Sequence, residues 1–150
     1  MKTAIDRSLL TDYLLDLLEP SSPFENRVWY VGDAEKPKEG GWQGEVGQSD
    51  WIPYMVLTPQ SSSNPTGDIA RPGSDVWFSY SVTVITRSRR MAEKLSFTVQ
   101  QRMVASQRKK TSDGRTIAQV QMMTHGGAVK LNIEPPLYAL TDQFRVYTTP

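Results

Sequence analysis

The chain has 150 residues, of which 38% are apolar and 22% are charged, and its formal net charge is +1. This length and apolar content suit one globular domain over residues 1–150, and the chain has no apolar run of about 18 residues and no signal-peptide profile at its start. Zero cysteines exclude disulfides and thiolate chemistry, and a lone histidine excludes a multi-histidine metal site. We therefore expect a soluble protein without these chemistries.

The two halves of the chain carry opposite charges. Residues 1–75 hold 6 basic and 12 acidic side chains, net −6, whereas residues 76–150 hold 11 basic and 4 acidic ones, net +7. Nine of the basic residues lie between Arg87 and Arg115, where only two acidic residues accompany them. This asymmetry indicates an acidic partner or complementarity between copies, with a solvated basic face as the alternative.

The first predicted element is an amphipathic helix, because its apolar residues fill one arc at about 100° per residue. That arc holds Leu9, Leu10, Tyr13, Leu14, Leu17 and Leu18, with Ser8, Thr11, Asp12, Asp16 and Glu19 opposite. Thr3 and Asp6 can form a capping box at its start, and Pro20 with Pro23 ends it.

Strands and long loops are predicted next. Residues 27–31 and 54–58 are short apolar segments typical of strands, and the polar stretches 33–50 and 60–73 are predicted loops. Loops of this length usually carry function or disorder. Residues 75–86 alternate apolar and polar side chains over ten positions, which predicts a strand of well-defined register.

A second helix is predicted over residues 89–106, with Ser88 as its N-cap. Its apolar stripe contains Met91, Ala92, Leu95, Val99 and Met103. Phe97 and Val104 fall about 160–180° from the centre of that stripe, so one sheet cannot bury both groups. Either the first helix or a neighbouring subunit must cover them.

Gly126 and Gly127 separate two alternating runs and predict a β-hairpin with a tight primed turn. Pro135 and Pro136 end the hairpin, and residues 137–149 form a last strand. The order α, β, β, β, α, β, β, β predicts an α+β domain in which two helices cover one face of a largely antiparallel or mixed sheet.

The sequence offers little catalytic chemistry. His125 is the single candidate imidazole base, but it directly precedes Gly126, where a histidine is typical of a solvated turn. No serine stands in a nucleophile-elbow motif. We predict a protein that is not an enzyme and needs no metal or cofactor. The basic run 108–110 can neutralise phosphates, although no nucleic-acid-binding motif accompanies it.

Four stretches together give the chain a family resemblance. They are WYVGD at 29–33, WIPYMVLTP at 51–59, the strand ending at Thr86 with SRRMAE at 88–93, and the end of the chain from PPLY at 135–138 to FRVYTTP at 144–150. In this order they resemble the tail-terminator proteins of bacteriophages with long noncontractile tails. The resemblance spans nearly the whole chain and rests on the order of the stretches.

The resemblance implies a structural virion protein without catalysis. Members form a hexameric ring on the head-proximal end of the tail tube, stop tube growth and provide the head-tail joining surface. The implied partners are copies of the chain itself, the tail tube protein, the head-completion (stopper) protein and genomic DNA passing non-specifically through the lumen, with no membrane and no small-molecule substrate. The implied location is the virion, after assembly in the host cytoplasm. Another small phage connector or scaffold module of the same fold is the alternative.

Two sets of residues are predicted to serve such a ring. Arg87, Arg90, Lys94, Phe97 and Val104 are predicted to meet the acidic N-terminal half of a neighbouring copy. The loops 33–50 and 60–73 are predicted to line the rims or the lumen. The candidate contact residues inside these loops are Lys36, Lys38, Trp42 and Arg71. Trp51, which directly follows the first loop, is a further candidate.

Overall fold

A computed structural model describes residues 7–18, 28–30 (backbone only), 53–60, 76–132 and 136–150. The elements in chain order are α1 (Arg7–Leu18), β1 (Val28–Tyr30), β2 (Tyr54–Gln60), β3 (Val76–Thr86), α2 (Arg89–Ala105), β4 (Thr116–His125), β5 (Val129–Lys130) and β6 (Tyr138–Thr149). Their order and the α+β class confirm the prediction. In these ranges, neither helix is long and apolar enough to cross a membrane.

All six strands belong to one sheet in the order β1-β2-β3-β6-β4, and β5 also pairs with β6. The β1–β2 pair is parallel, and the other pairs are antiparallel. The centre is the long β3–β6 pair, which runs in register from Val76 opposite Thr148 to Thr86 opposite Tyr138. The sheet is therefore mixed but largely antiparallel.

The core lies between one face of this sheet and the two helices. Alternate residues of β3 point into it, from Val76 to Val84, because successive side chains of a strand face opposite sides. The other core residues are Leu10, Leu14 and Leu18 of α1, Leu95, Val99 and Met103 of α2, and Met55, Leu57, Ile117, Phe144 and Val146 of the sheet.

Helix α1 confirms the first predicted helix, but one residue faces the core instead of the predicted polar side. Thr11, predicted on the polar side, is buried, and its hydroxyl lies 2.9 Å from the hydroxyl of Tyr80. The shared hydrogen bond satisfies both groups and lets a polar residue occupy the core face. The capping-box residues Thr3 and Asp6 lie outside the described residues.

Helix α2 begins as predicted, since the amide of Met91 donates to the Ser88 hydroxyl at 3.1 Å. Its buried face is shifted from the predicted stripe. Ser96 is fully buried, whereas Met91 is 41% exposed. The helix is rolled toward Ser96 because that hydroxyl donates to the buried carboxylate of Asp142 at 2.5 Å.

The predicted hairpin at Gly126 and Gly127 is wrong. Strands β4 and β5 do not pair with each other; both pair with β6 on the same side. The Gly126 amide donates to the Thr141 carbonyl at 3.1 Å, and a Cβ at Gly126 would overlap that carbonyl oxygen. Glycine is needed here for close backbone approach, and the chain reverses later, where the Leu131 amide bonds the Leu137 carbonyl at 2.7 Å.

Candidate functional site

The outward surface of α2 leaves two large apolar side chains uncovered. Phe97 is 60% exposed and Val104 is 53% exposed with α1 packed in place. The alternative in which the first helix covers them is therefore wrong. Coverage by a neighbouring subunit stays a prediction.

Cations accompany this apolar pair. Arg90 and Lys94 are exposed, as is Arg87, which precedes the helix. At about 100° per residue, the helical members of the set fall within an arc of about 80° on the side opposite the core. We call the set the α2 surface; it consists of Arg87, Arg90, Lys94, Phe97 and Val104. The structure thus brings the predicted interface residues onto one continuous exposed region of the chain.

Helix α1 presents an acidic surface on the same side of the sheet. Asp12 and Asp16 are exposed, and their spacing of four residues aligns them on the face opposite Leu14 and Leu18. We call this pair the α1 surface. The other acidic residues of the N-terminal half lie outside the described residues. The helical layer therefore offers two unlike patches, one acidic and one basic and apolar.

His125 is solvated, as the sequence indicated, with its side chain 56% exposed, but it does not lie in a turn. It ends β4, and its Nδ1 lies 2.7 Å from Oδ1 of Asp142, a residue only 1% exposed. The same carboxylate accepts hydrogen bonds from the Ser96 hydroxyl at 2.5 Å and from the Gly126 amide at 3.2 Å. The amide nitrogen of Gln100 lies 3.3 Å from both Ser96 Oγ and His125 Nδ1.

Serine, histidine and aspartate thus meet, but their connectivity differs from that of a catalytic triad. In a triad the serine hydroxyl donates to the imidazole, which in turn is oriented by the carboxylate. Here Ser96 donates directly to Asp142, so its hydroxyl is not aligned with the imidazole of His125. The cluster instead satisfies a buried carboxylate and ties α2 to β4 and β6.

Sequence reasoning missed Asp142 and Ser96. A signal existed, because Asp142 is the one charged residue at the inward positions of β6, between Leu140 and Phe144. A charge at such a position requires hydrogen-bonding partners. Within the ranges that the structure describes, no group of three or more metal-ligand side chains occurs.

The predicted rim and lumen residues lie outside the described part of the chain. They are Lys36, Lys38, Trp42, Trp51 and Arg71. Their assignment stays a prediction, as does the absence of catalysis.

No protein-family model matches the chain, and no curated protein matches it. Among solved structures, it is similar to a chain of the virion of a native gene transfer agent particle, with a TM-score of 0.60 and 13% sequence identity over 91% of this chain and 92% of that one. A second solved chain, whose name states no function, has a TM-score of 0.59 and 12% identity over 98% and 99% of the two chains. Likeness at these identities shows a shared fold along nearly the full length.

Proposed function

We propose that this chain is a structural virion protein that forms a hexameric ring on the head-proximal end of a phage tail tube. The ring ends tube polymerisation and provides the surface for head-tail joining. The observation that carries the proposal is the nearly full-length likeness to a chain of a gene transfer agent virion.

The family resemblance in the sequence supports the same role. Its four stretches overlap β1, β2, the β3–α2 connection and β6, which are consecutive parts of one sheet and the helix that covers it. The resemblance therefore follows the framework of the fold. A set of surface loops would be weaker support, since loops vary more than the elements they connect.

Unlike surfaces on one chain suit a ring. A head-to-tail contact joins two different patches, and a closing rotation lets every copy use both of them once. The α2 surface supplies apolar area in Phe97 and Val104, flanked by cations, and the α1 surface supplies Asp12 and Asp16. Protein interfaces commonly combine an apolar centre with a polar rim. In the proposed ring, the α2 surface of each copy contacts the α1 surface of the next.

Native mass spectrometry with negative-stain electron microscopy tests the ring. Six copies of a 16.9 kDa chain give a closed particle of about 101 kDa. A chain that stays monomeric at high concentration, with and without its tube protein, would contradict the proposal, and so would a stable two-fold dimer that consumes both surfaces.

Tube capping needs a separate measurement. Adding the ring to polymerising tube protein encoded by the same genome should shorten the tubes and place a ring at one end of each. If rings form but tube length does not change, the chain does not cap the tube. That result would favour the alternative, another connector or scaffold module of this fold.

A further inference from the structure

Three consecutive cations, Arg108, Lys109 and Lys110, lie in the connection between α2 and β4, and all three are exposed. We call them the basic turn. They belong to the excess of positive charge that the sequence places between Arg87 and Arg115. They lie outside the α2 surface.

The backbone of the basic turn is held firmly on the outer edge of β4. The Arg108 amide donates to the Ile117 carbonyl at 2.6 Å, and the Ile117 amide donates to the Lys109 carbonyl at 2.8 Å. Lys110 forms a β-bridge with Thr116. A segment already ordered in this way loses little backbone freedom when it binds a partner.

The basic turn contains three cations, and the sequence places one acidic residue, Asp113, close to them. The Oδ1 of Asp113 accepts from the Thr111 hydroxyl and from the Arg115 amide, and this carboxylate makes no ion pair with the three cations. Among the residues that the structure describes, none of the three cations makes an ion pair. Two other cations of the C-terminal half are engaged: Arg145 lies over the Trp77 ring at 4.2 Å, and Arg115 donates to Thr148.

Arg108 adopts a backbone conformation that disfavours its side chain. Its φ of 70° lies in the left-handed region, which glycine occupies without steric cost. Glycine does take such a conformation at Gly114 in the same connection. An arginine kept in a strained conformation, with its side chain exposed, is a feature associated with function.

The basic turn lacks what a protein partner needs. Residues 106–114 read SQRKKTSDG and contain no large apolar side chain, whereas the cores of protein interfaces are apolar and depleted in lysine. A phosphate backbone requires only exposed cations that displace its counterions. We infer that the basic turn binds the phosphate backbone of double-stranded nucleic acid without reading its sequence. This inference does not depend on the ring or on a tail.

The test measures binding of the full chain to a fluorescent DNA duplex of about 30 base pairs by anisotropy, from about 50 to about 200 mM NaCl. Three phosphate contacts give a logarithmic salt slope of about −2.7, so the wild-type affinity attributable to the turn should fall about 40-fold over this range. The variant R108Q/K109Q/K110Q should bind at least about tenfold more weakly at the lowest salt, with a flatter slope.

The matched control is R89Q/R102Q/K130Q, which removes the same charge from positions outside both the basic turn and the α2 surface. It should keep most of the DNA affinity. Equal losses in both variants would assign binding to net charge and overturn the inference, as would a wild-type chain that does not bind DNA. A turn variant that binds DNA normally but loses oligomeric mass would identify an acidic protein surface as the partner.

A single substitution separates folding from binding. Arg108→Gly relieves the left-handed conformation and should raise the thermal midpoint while it weakens DNA binding. Weaker binding together with a lowered midpoint would mean that the arginine serves the fold, which would contradict the inference.

Discussion

The α2 surface and the basic turn are both rich in cations, yet their surroundings differ. On α2, Arg90 and Lys94 flank Phe97 and Val104, each more than half exposed. In the basic turn, by contrast, three cations follow one another, and residues 106–114 include no large apolar side chain. Apolar area supplies most of the free energy of protein association, whereas phosphate binding is largely electrostatic. The number of cations on a surface therefore does not identify the class of partner. The presence or absence of apolar side chains beside the cations does.

The α2 surface and the basic turn are both held in place by helix α2 and its contacts with the sheet. Helix α2 carries the first surface and leads directly into the second, and the Ser96–Asp142–His125 cluster ties this helix to β4 and β6. We expect a change in this cluster to disturb both surfaces together, whereas changes on the surfaces themselves should act separately.

Removing Asp142 tests the shared support and should have the largest effect. Asp142→Ala removes the acceptor of the buried Ser96 hydroxyl, one partner of His125 and one of the two acceptors of the Gly126 amide, which should lower the free energy of unfolding by about 3 kcal/mol in urea denaturation. His125→Ala removes one exposed partner and should cost under about 1 kcal/mol. Equal costs for the two variants would show that the carboxylate is not the centre of the cluster.

The contact between β4 and β6 at Gly126 comes second. Gly126→Ala places a methyl group against the Thr141 carbonyl and should cost about 2 kcal/mol of unfolding free energy, because the two strands must separate locally. Gly127→Ala meets nothing within 4 Å and should stay within about 0.5 kcal/mol of the wild type. The primed turn expected from the sequence would instead penalise both substitutions similarly, so this pair of variants discriminates the two chain paths.

A substitution at Phe97 tests the apolar contribution of the α2 surface to self-association. Phe97→Ser should weaken self-association by about tenfold, or about 1.4 kcal/mol per contact, in sedimentation or mass photometry. The unfolding free energy should change little because the side chain is largely exposed. Met91→Ser changes an exposed apolar residue on another flank of the same helix and should leave association intact. If Met91→Ser weakens association as much, the contact is not confined to the α2 surface.

Charge reversal probes the electrostatic part and should have the smallest effect. Replacing Arg87, Arg90 and Lys94 together with glutamate should weaken self-association several-fold at low salt. The effect should be smaller at high salt, since ions screen exposed charges. If Asp12 and Asp16 of the same chain are also replaced with lysine, part of the self-association should return. An unchanged oligomer mass in light scattering after the first change would remove the α2 surface from the contact.

The sequence by itself determined the elements whose patterns are local. Helical periodicity fixed α1 and α2, strict alternation fixed β3 and β6, and the order of elements fixed the α+β class. The position of Phe97 and Val104 opposite the apolar stripe also followed from helix geometry, whereas their exposure beside α1 came from the structure. These features depend on residues within a few positions of each other, so a single sequence contains the information.

Only the tertiary structure decided what depends on distant residues. The path of β4 and β5 along β6, the burial of Thr11 against Tyr80, and the meeting of Ser96 with His125 and Asp142 join segments far apart in the chain. Gly126 shows the physical reason. Glycine permits both a tight turn and close backbone approach, and only the position of the Thr141 carbonyl distinguishes them.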